Sequence, residues 1–193
     1  MPITPEQFKN AFTAIANLRG LGKAVAAQWA WDIENGMNYS PNGLPIRGHV
    51  TTHHLTSMVE RAVPDIAGAL GLQDTWGILV NPARRRGPRL DAVLFSEADD
   101  GARTPEVAWE HKNDIRGGCT EEIRNLNAST APLRVLVTYP RPNQPRRGAD
   151  YWLTQFGPIV AEQADRQFVV VFGMDDDTWR FYRHMPAGFK EMP

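Results

Sequence analysis

Residues 89–112 read RLDAVLFSEADDGARTPEVAWEHK, which is two short apolar runs separated by a segment rich in Asp, Gly and Pro. The runs at 90–95 and 106–112 contain β-branched and aromatic residues and are bounded by turn-forming residues. Short runs of this composition predict two β-strands rather than helices. If the two strands pair as a hairpin, the charged residues at their ends can meet.

The predicted hairpin places charged side chains together. Side chains alternate between the two faces of a strand, so Glu110 and Lys112 are expected on one face and His111 on the other. Asp91, on the first strand, can join Glu110 and Lys112. Carboxylate oxygens are hard ligands that suit Mg²⁺. An adjacent Lys can orient a water molecule or stabilise charge that develops on a phosphate.

A purely structural interpretation of these residues is also available. A Glu and a Lys two residues apart on a strand often form a solvent-facing ion pair, and Asp91 could be a charge on a sheet edge. The neighbours favour a site. Val107 and Trp109 occupy the opposite face, which must then be core, whereas the charged residues share their face with the small Ala108.

The rest of the chain predicts a mixed α/β protein. Helices are expected over 5–34, where Thr4 is the N-cap, Pro5 the first helical residue and Gln7 the third residue of a capping box. A Gly- and Pro-rich loop follows at 35–48, and a helix at 51–70 is expected to be kinked or split by Pro64. The other predicted elements are strands at 75–80, 89–95, 106–112 and 133–139, helices at 120–128 and 150–164, and a closing hairpin of 167–173 and 179–183 turned by the acidic residues 175–177.

Between residues 51 and 140 the predicted order is helix, three strands, helix, strand. With Asp91 on the second strand and Glu110-His111-Lys112 on the third, this segment resembles the PD-(D/E)XK nuclease superfamily. The proline of the motif is displaced here, because Pro88 lies three residues before Asp91. The resemblance implies a restriction-endonuclease-like αβββαβ core with a mixed central sheet flanked by helices. It implies one nuclease domain, 1–193, with a helical extension at 1–48, the catalytic core at 51–140, and a helix and β-hairpin at 141–193.

The resemblance also implies an activity, which is hydrolysis of DNA phosphodiester bonds by an Mg²⁺-dependent endonuclease of the type II restriction kind, with Mn²⁺ as a substitute. Asp91, Glu110 and the backbone carbonyl of His111 would bind one or two metal ions. Lys112 would position the attacking water or help to deprotonate it. Many members add an acidic residue from the helix before the first core strand, and Glu60 is the candidate here.

Two clusters of arginine suggest where a polyanion would bind. One precedes the Asp91 strand, and the other lies in the Pro-rich loop at 141–147, while acidic clusters occur at 99–100 and 175–177. Separated patches of opposite sign, on a chain with a formal net charge of −1, suit a protein that grips a polyanion with one face. Solvated loops are the alternative interpretation. The predicted nucleic-acid contacts are Arg84, Arg85, Arg86, Arg89, Arg141, Arg146 and Arg147.

Composition sets outer limits on function. A hydrophobic content of 42% and a charged content of 22% are ordinary for a soluble globular protein. The single cysteine, Cys119, excludes an internal disulfide framework and a Cys-rich zinc site, and it fits a reducing cytoplasm. We expect no signal peptide, because residues 1–6 lack a basic and then apolar pattern, and no membrane-spanning helix, because no apolar run is long enough. We therefore expect a cytoplasmic protein with no membrane partner.

The expected partner is double-stranded DNA, and cutting both strands requires two active sites, so a homodimer is expected. A non-catalytic member of the same fold that binds nucleic acid or a protein is one alternative, although the intact Asp91, Glu110 and Lys112 argue against it. An RNA-directed or repair nuclease is another. Composition does not separate RNA from DNA, because the group that reads the 2′-hydroxyl is not a sequence motif.

Overall fold

The computed structural model describes residues 2–34, 49–79, 89–112, 115, 118–140, 148–160, 166–174 and 176–193. The predicted loop at 35–48 lies outside the described residues. The described part of the chain is mixed α/β. Its elements are, in chain order, α1 (Pro5–Arg19), α2 (Leu21–Glu34), α3 (His49–Ala69), β1 (Gln73–Leu79), β2 (Arg89–Glu97), β3 (Arg103–Lys112), α4 (Thr120–Ala128), β4 (Leu133–Thr138), α5 (Ala149–Phe156), β5 (Gln167–Gly173), β6 (Trp179–Met185) and β7 (Gly188–Glu191).

The seven strands form one mixed sheet, in which every strand pairs with its neighbours in sequence. β1, β2 and β3 are mutually antiparallel, β3, β4 and β5 are parallel, and β6 and β7 continue antiparallel. Parallel neighbours need a crossover connection, which α4 supplies between β3 and β4 and α5 supplies between β4 and β5. From α3 to β4 the order is helix, three strands, helix, strand, as the sequence predicts.

The predicted capping box at the start of α1 is confirmed. The Thr4 side chain accepts a hydrogen bond from the backbone N–H of Gln7 at 3.2 Å, and the Gln7 side chain accepts one from the backbone N–H of Thr4 at 2.9 Å. These two bonds satisfy donors that the first turn of a helix leaves unpaired. Gly20 ends α1 in the left-handed conformation, with φ of 64°, and α2 begins at the next residue.

Each face of the sheet buries a separate apolar core. On one face, α1 and α3 pack on the sheet, and Phe12 stacks on Trp109 of β3 with ring centroids 6.0 Å apart. On the other face, α4 and α5 cover Ala108 of β3 with buried side chains such as Leu126 and Phe156. Both faces of β3 are therefore covered. Charged residues that share the face of Ala108 must lie at or beneath the α4 layer rather than on an open surface.

Three predictions of secondary structure differ from the fold. α5 ends at Phe156 rather than at 164, because Gly157 and Pro158 follow it and proline has no N–H to continue the helix. The closing hairpin gains a third strand, β7. α3 runs unbroken through Pro64, so the predicted split does not occur, because five of its residues from 59 to 67 are almost fully buried in the core. Burial on this scale outweighs the roughly 3 kcal/mol that an interior proline costs.

Close packing at the end of β5 gives a test of the fold. A Cβ added to Gly173 would lie 2.7 Å from two atoms of the Tyr139 ring and 3.0 Å from the Trp179 ring. We expect Gly173→Ala to lower the free energy of unfolding by about 1–3 kcal/mol, as overpacking does, measured by urea denaturation. Gly68→Ala is the matched control. Its Cβ would meet nothing within 4 Å, so the better helix former should stabilise α3 by up to about 1 kcal/mol. Equal effects of the two substitutions would contradict the packing around Gly173.

Candidate active site

Asp91 and Glu110 are brought together by the pairing of β2 with β3. Ala92 lies opposite Trp109 in this antiparallel pair, so Asp91 and Glu110 are the next residues along the two strands. The backbone N–H of His111 donates a hydrogen bond to Asp91 Oδ2 at 2.8 Å, which fixes the orientation of that carboxylate. Asp91 is half-buried, and Glu110 is only 4% exposed. The predicted hairpin is confirmed, and it does place two carboxyl groups side by side.

The Glu110 carboxyl is in an unfavourable position for a negative charge. Burial raises its pKa to about 9, and the charge of Asp91 and a hydrogen bond shared with Asp91 act in the same direction. The hydrogen bond from Asn125 Nδ2 to Glu110 Oε1, 3.1 Å long, opposes the rise. The protein alone therefore keeps a proton on this pair at neutral pH. A nearby cation would stabilise the ionised carboxylates, lower the pKa of the pair and release that proton.

Glu60 is a third carboxyl group beside this pair. Burial raises the pKa of Glu60, and the charge of Asp91 raises it further. The second effect requires the two groups to be near each other, although α3 packs through Val59 and Val63 on the opposite face of the sheet. The structure therefore brings the predicted Glu60 within electrostatic range of Asp91.

Lys112, the last residue of β3, faces the N-terminal turn of α4. Its Nζ donates a hydrogen bond to Glu122 Oε1 at 2.5 Å. Burial disfavours the Lys112 ammonium, but the hydrogen bond and the charge of Glu122 outweigh this and raise the pKa of Lys112. The Thr138 hydroxyl donates to the Lys112 carbonyl at 2.7 Å and fixes the backbone there.

Sequence reasoning missed Glu122 and Asn125, which contact the predicted site residues from α4. A signal for Asn125 was present in the sequence. It lies between Ile123 and Leu126 on the apolar stripe of α4, and all three residues are buried. A polar side chain within such a stripe needs a buried hydrogen-bond partner. That partner is Glu110.

His111 points away from the carboxyl groups, as alternation along β3 predicts. Its ring is buried on the other face of the sheet, where Nε2 lies 2.8 Å from the Tyr139 hydroxyl. Burial lowers the pKa of His111 to about 3, so its ring is neutral. The side chain belongs to the core, and only the His111 backbone contributes to the site.

The predicted nucleic-acid contacts are almost all in segments that the structure does not describe. Arg84, Arg85 and Arg86 lie outside the described residues, as do the three arginines of the 141–147 loop. Arg89 is the first residue of β2. Contact between these arginines and phosphate stays a prediction.

The carboxyl groups fit a divalent cation by their chemistry. Glu60, Asp91 and Glu110 offer carboxylate oxygens, which Mg²⁺ prefers. The raised pKa values of Glu60 and Glu110 reflect burial first and the charge of Asp91 second, and a bound cation would offset both. Among the described residues, no three His, Cys, Asp or Glu side chains are already arranged as a complete ligand set. Asp91 and Glu110 are therefore present as a hydrogen-bonded pair with Glu60 within electrostatic range, and side-chain movement would be needed to close the three around an ion.

Comparisons of this chain with protein-family models, with curated proteins and with solved structures found no match. In the described part of the chain, no helix has both the length and the apolar character needed to cross a bilayer. Function must therefore be inferred from the residues of the site.

The raised pKa of Glu110 predicts how stability depends on pH without metal. The folded protein holds the Glu110 proton up to a pH of about 9, whereas an unperturbed carboxyl releases it near 4.5. This contribution favours the folded state below pH 4.5 and is lost as the pH rises towards 9. Glu110→Gln mimics the protonated group and escapes the loss. Its advantage over wild type should grow by up to about 1.4 kcal/mol per pH unit between pH 5 and pH 8.

Urea denaturation of both proteins in EDTA, at several pH values, measures this difference. A difference between wild type and Glu110→Gln that stays constant from pH 5 to pH 8 would show that Glu110 is already ionised in the folded protein. The mutual arrangement of Asp91 and Glu110 described above would then be wrong.

Proposed function

We propose that this protein is a metal-dependent endonuclease of the PD-(D/E)XK type that hydrolyses phosphodiester bonds of double-stranded DNA with Mg²⁺ or Mn²⁺. The observation that carries the proposal is the pairing of the Asp91 and Glu110 carboxyl groups across the β2–β3 hairpin, with Glu60 within electrostatic range of Asp91. Lys112 follows on the same face of β3, where its ammonium binds Glu122 of α4. Asp91 on β2 and Glu110 and Lys112 on β3 are the residues that resemble the PD-(D/E)XK motif. The element order from α3 to β4 supports a restriction-endonuclease-like core.

In this proposal each group has a distinct role. Asp91 and Glu110 would hold the cation, with Glu60 and the His111 carbonyl as further ligands. When bound, Mg²⁺ activates a water molecule and stabilises the charge that develops on the scissile phosphate. The N–H of His111 keeps the Asp91 carboxylate turned towards Glu110. Lys112 supplies an ammonium that donates to the attacking water or to a phosphate oxygen.

A non-catalytic member of the same fold, which binds nucleic acid or a protein, is the second candidate. One observation favours it, because Lys112 already has an ion-pair partner in Glu122. The Glu110 site argues against it. A carboxyl group buried beside another carboxyl costs stability, and a binding surface gains nothing from that cost, whereas strongly shifted pKa values of this kind cluster at active sites.

Duplex DNA is proposed as the substrate because the arginine clusters of the sequence flank the site-bearing segments. Cutting both strands would require two copies of the site, which a symmetric homodimer provides. An RNA-directed or repair nuclease would use the same carboxylates, so the choice of substrate must be tested directly.

We expect the purified protein to cut supercoiled plasmid in Mg²⁺ or Mn²⁺ and to be inactive in EDTA. Asp91→Asn and Lys112→Met should each lower the rate by about a hundredfold or more, because each removes charge from the transition-state environment. Glu60→Gln should have a smaller effect, about tenfold, because Glu60 is related to the pair through the charge of Asp91, whereas Asp91 and Glu110 share a hydrogen bond. Glu106→Gln is the matched control. It removes a carboxylate from the same strand, β3, where Glu106 bonds to Ser96 rather than to the site, and its rate should equal that of wild type.

The cleavage assay also separates the alternatives. A folded wild type that leaves duplex DNA, single-stranded DNA and RNA intact in both metals would refute the nuclease. A shift of labelled DNA on a native gel by that inactive protein would then support the binding role. Cleavage of RNA alone would support metal-dependent phosphodiester hydrolysis but show that the substrate is RNA rather than DNA.

A further inference from the structure

α4 presents two polar side chains to the site and two to solvent. Glu121 and Arg124 are exposed, whereas Glu122 and Asn125 contact β3. Residues three apart lie on the same side of a helix. The division therefore follows from helical spacing, and it turns the inner pair towards Glu110 and Lys112.

The inner pair makes two specific contacts. Glu122 Oε1 accepts from Lys112 Nζ at 2.5 Å, and Asn125 Nδ2 donates to Glu110 Oε1 at 3.1 Å. The later helix residue contacts the earlier strand residue, so α4 runs antiparallel to β3. Three helical residues span about 4.5 Å and two strand residues about 6.6 Å. The long side chains of Glu122 and Lys112 bridge the remaining distance.

Burial limits the orientations that the side chains in these two contacts can adopt. Asn125 is 9% exposed, so the amide has few alternative partners in water. The Glu122 side chain is 14% exposed, compared with 37% for Lys112. Glu122 also lies in the first turn of α4, where the positive end of the helix dipole favours a carboxylate. Both members of the Asn125–Glu110 pair are buried, and Glu122 is the more buried member of the other pair, so each helix residue limits where its partner on β3 can point.

We propose that Asn125 and Glu122 are positioning residues, which act on the site through Glu110 and Lys112 respectively. Asn125 holds the Glu110 carboxyl in the orientation that receives the cation. Glu122 fixes the direction of the Lys112 ammonium at the end of β3, against the first turn of α4. This inference rests on the proposed function, and it adds a role for α4 that the Asp91, Glu110 and Lys112 motif does not include.

The two residues make their hydrogen bonds to different groups, so the largest effect of losing each one should differ. Asn125 donates to the proposed cation ligand Glu110, so its loss should appear in metal affinity. Glu122 accepts from Lys112, so its loss should appear mainly in turnover. Its charge also raises the pKa of Glu110, so metal affinity should change as well, but less. A merely structural role for α4 would instead change stability and leave both properties of the folded protein unaltered.

The experiment compares wild type with Asn125→Leu, Glu122→Gln and the control Glu121→Gln. Mn²⁺ is titrated into each protein by calorimetry without DNA, and plasmid cleavage is measured at saturating Mn²⁺ to obtain kcat and KM. Asn125→Leu should lower Mn²⁺ affinity about tenfold or more. Glu122→Gln should keep Mn²⁺ affinity within about threefold and lower kcat about tenfold or more, with little change in KM. Glu121→Gln removes the same charge from the same turn and should match wild type.

Each outcome decides something. If wild type binds Mn²⁺ and cuts DNA while Asn125→Leu and Glu122→Gln behave like Glu121→Gln, the positioning role is refuted and the nuclease stands. If wild type neither binds Mn²⁺ nor cuts, both proposals fail together. Should Asn125→Leu not fold, Asn125→Ala removes the same donor with a smaller side chain and is held to the same expectation.

Discussion

Two carboxyl groups held together in a buried place are the constraint on which the rest of the site depends. β2 and β3 pair so that Asp91 and Glu110 adjoin, and covering helices on both faces of β3 exclude water from Glu110. The result is a carboxyl with a pKa of about 9. Such a pair opposes folding, and the surrounding packing must overcome that opposition. Proteins retain unfavourable arrangements of this kind where function needs a charge to be bound.

Much of the architecture follows from local sequence. The runs at 90–95 and 106–112 predicted β2 and β3 because apolar strands buried on both faces are short and rich in β-branched and aromatic residues. The alternation of side chains along β3 correctly predicted that His111 and Glu110 lie on different faces of the sheet. The sequence Thr4-Pro5-Glu6-Gln7 correctly located the start of α1. These features depend on neighbours along the chain, so the sequence alone contains the information needed.

Features that depend on contacts between distant residues were harder to predict. β7 is a four-residue strand that exists because β6 offers it a partner. The contacts of Glu122 and Asn125 with β3 require the crossover that brings α4 over the sheet. Glu60 was selected through the resemblance, and its nearness to Asp91 is visible only when α3 and β2 are placed together. The local sequence pattern therefore predicts the two strands that carry the site, whereas the residues that reach the site from α3 and α4 can be identified only from the fold.

The central claim is that the adjoining carboxyl groups of Asp91 and Glu110 receive a divalent cation. Crystals soaked in Mn²⁺ test it most directly, because manganese can be located by its anomalous scattering. We predict an anomalous peak within about 2.0–2.3 Å of oxygens from both carboxylates, the range of hard-cation coordination. The claim would be contradicted by a manganese site elsewhere in the crystal, with no peak between Asp91 and Glu110 and with their carboxyl oxygens still within hydrogen-bond distance of each other.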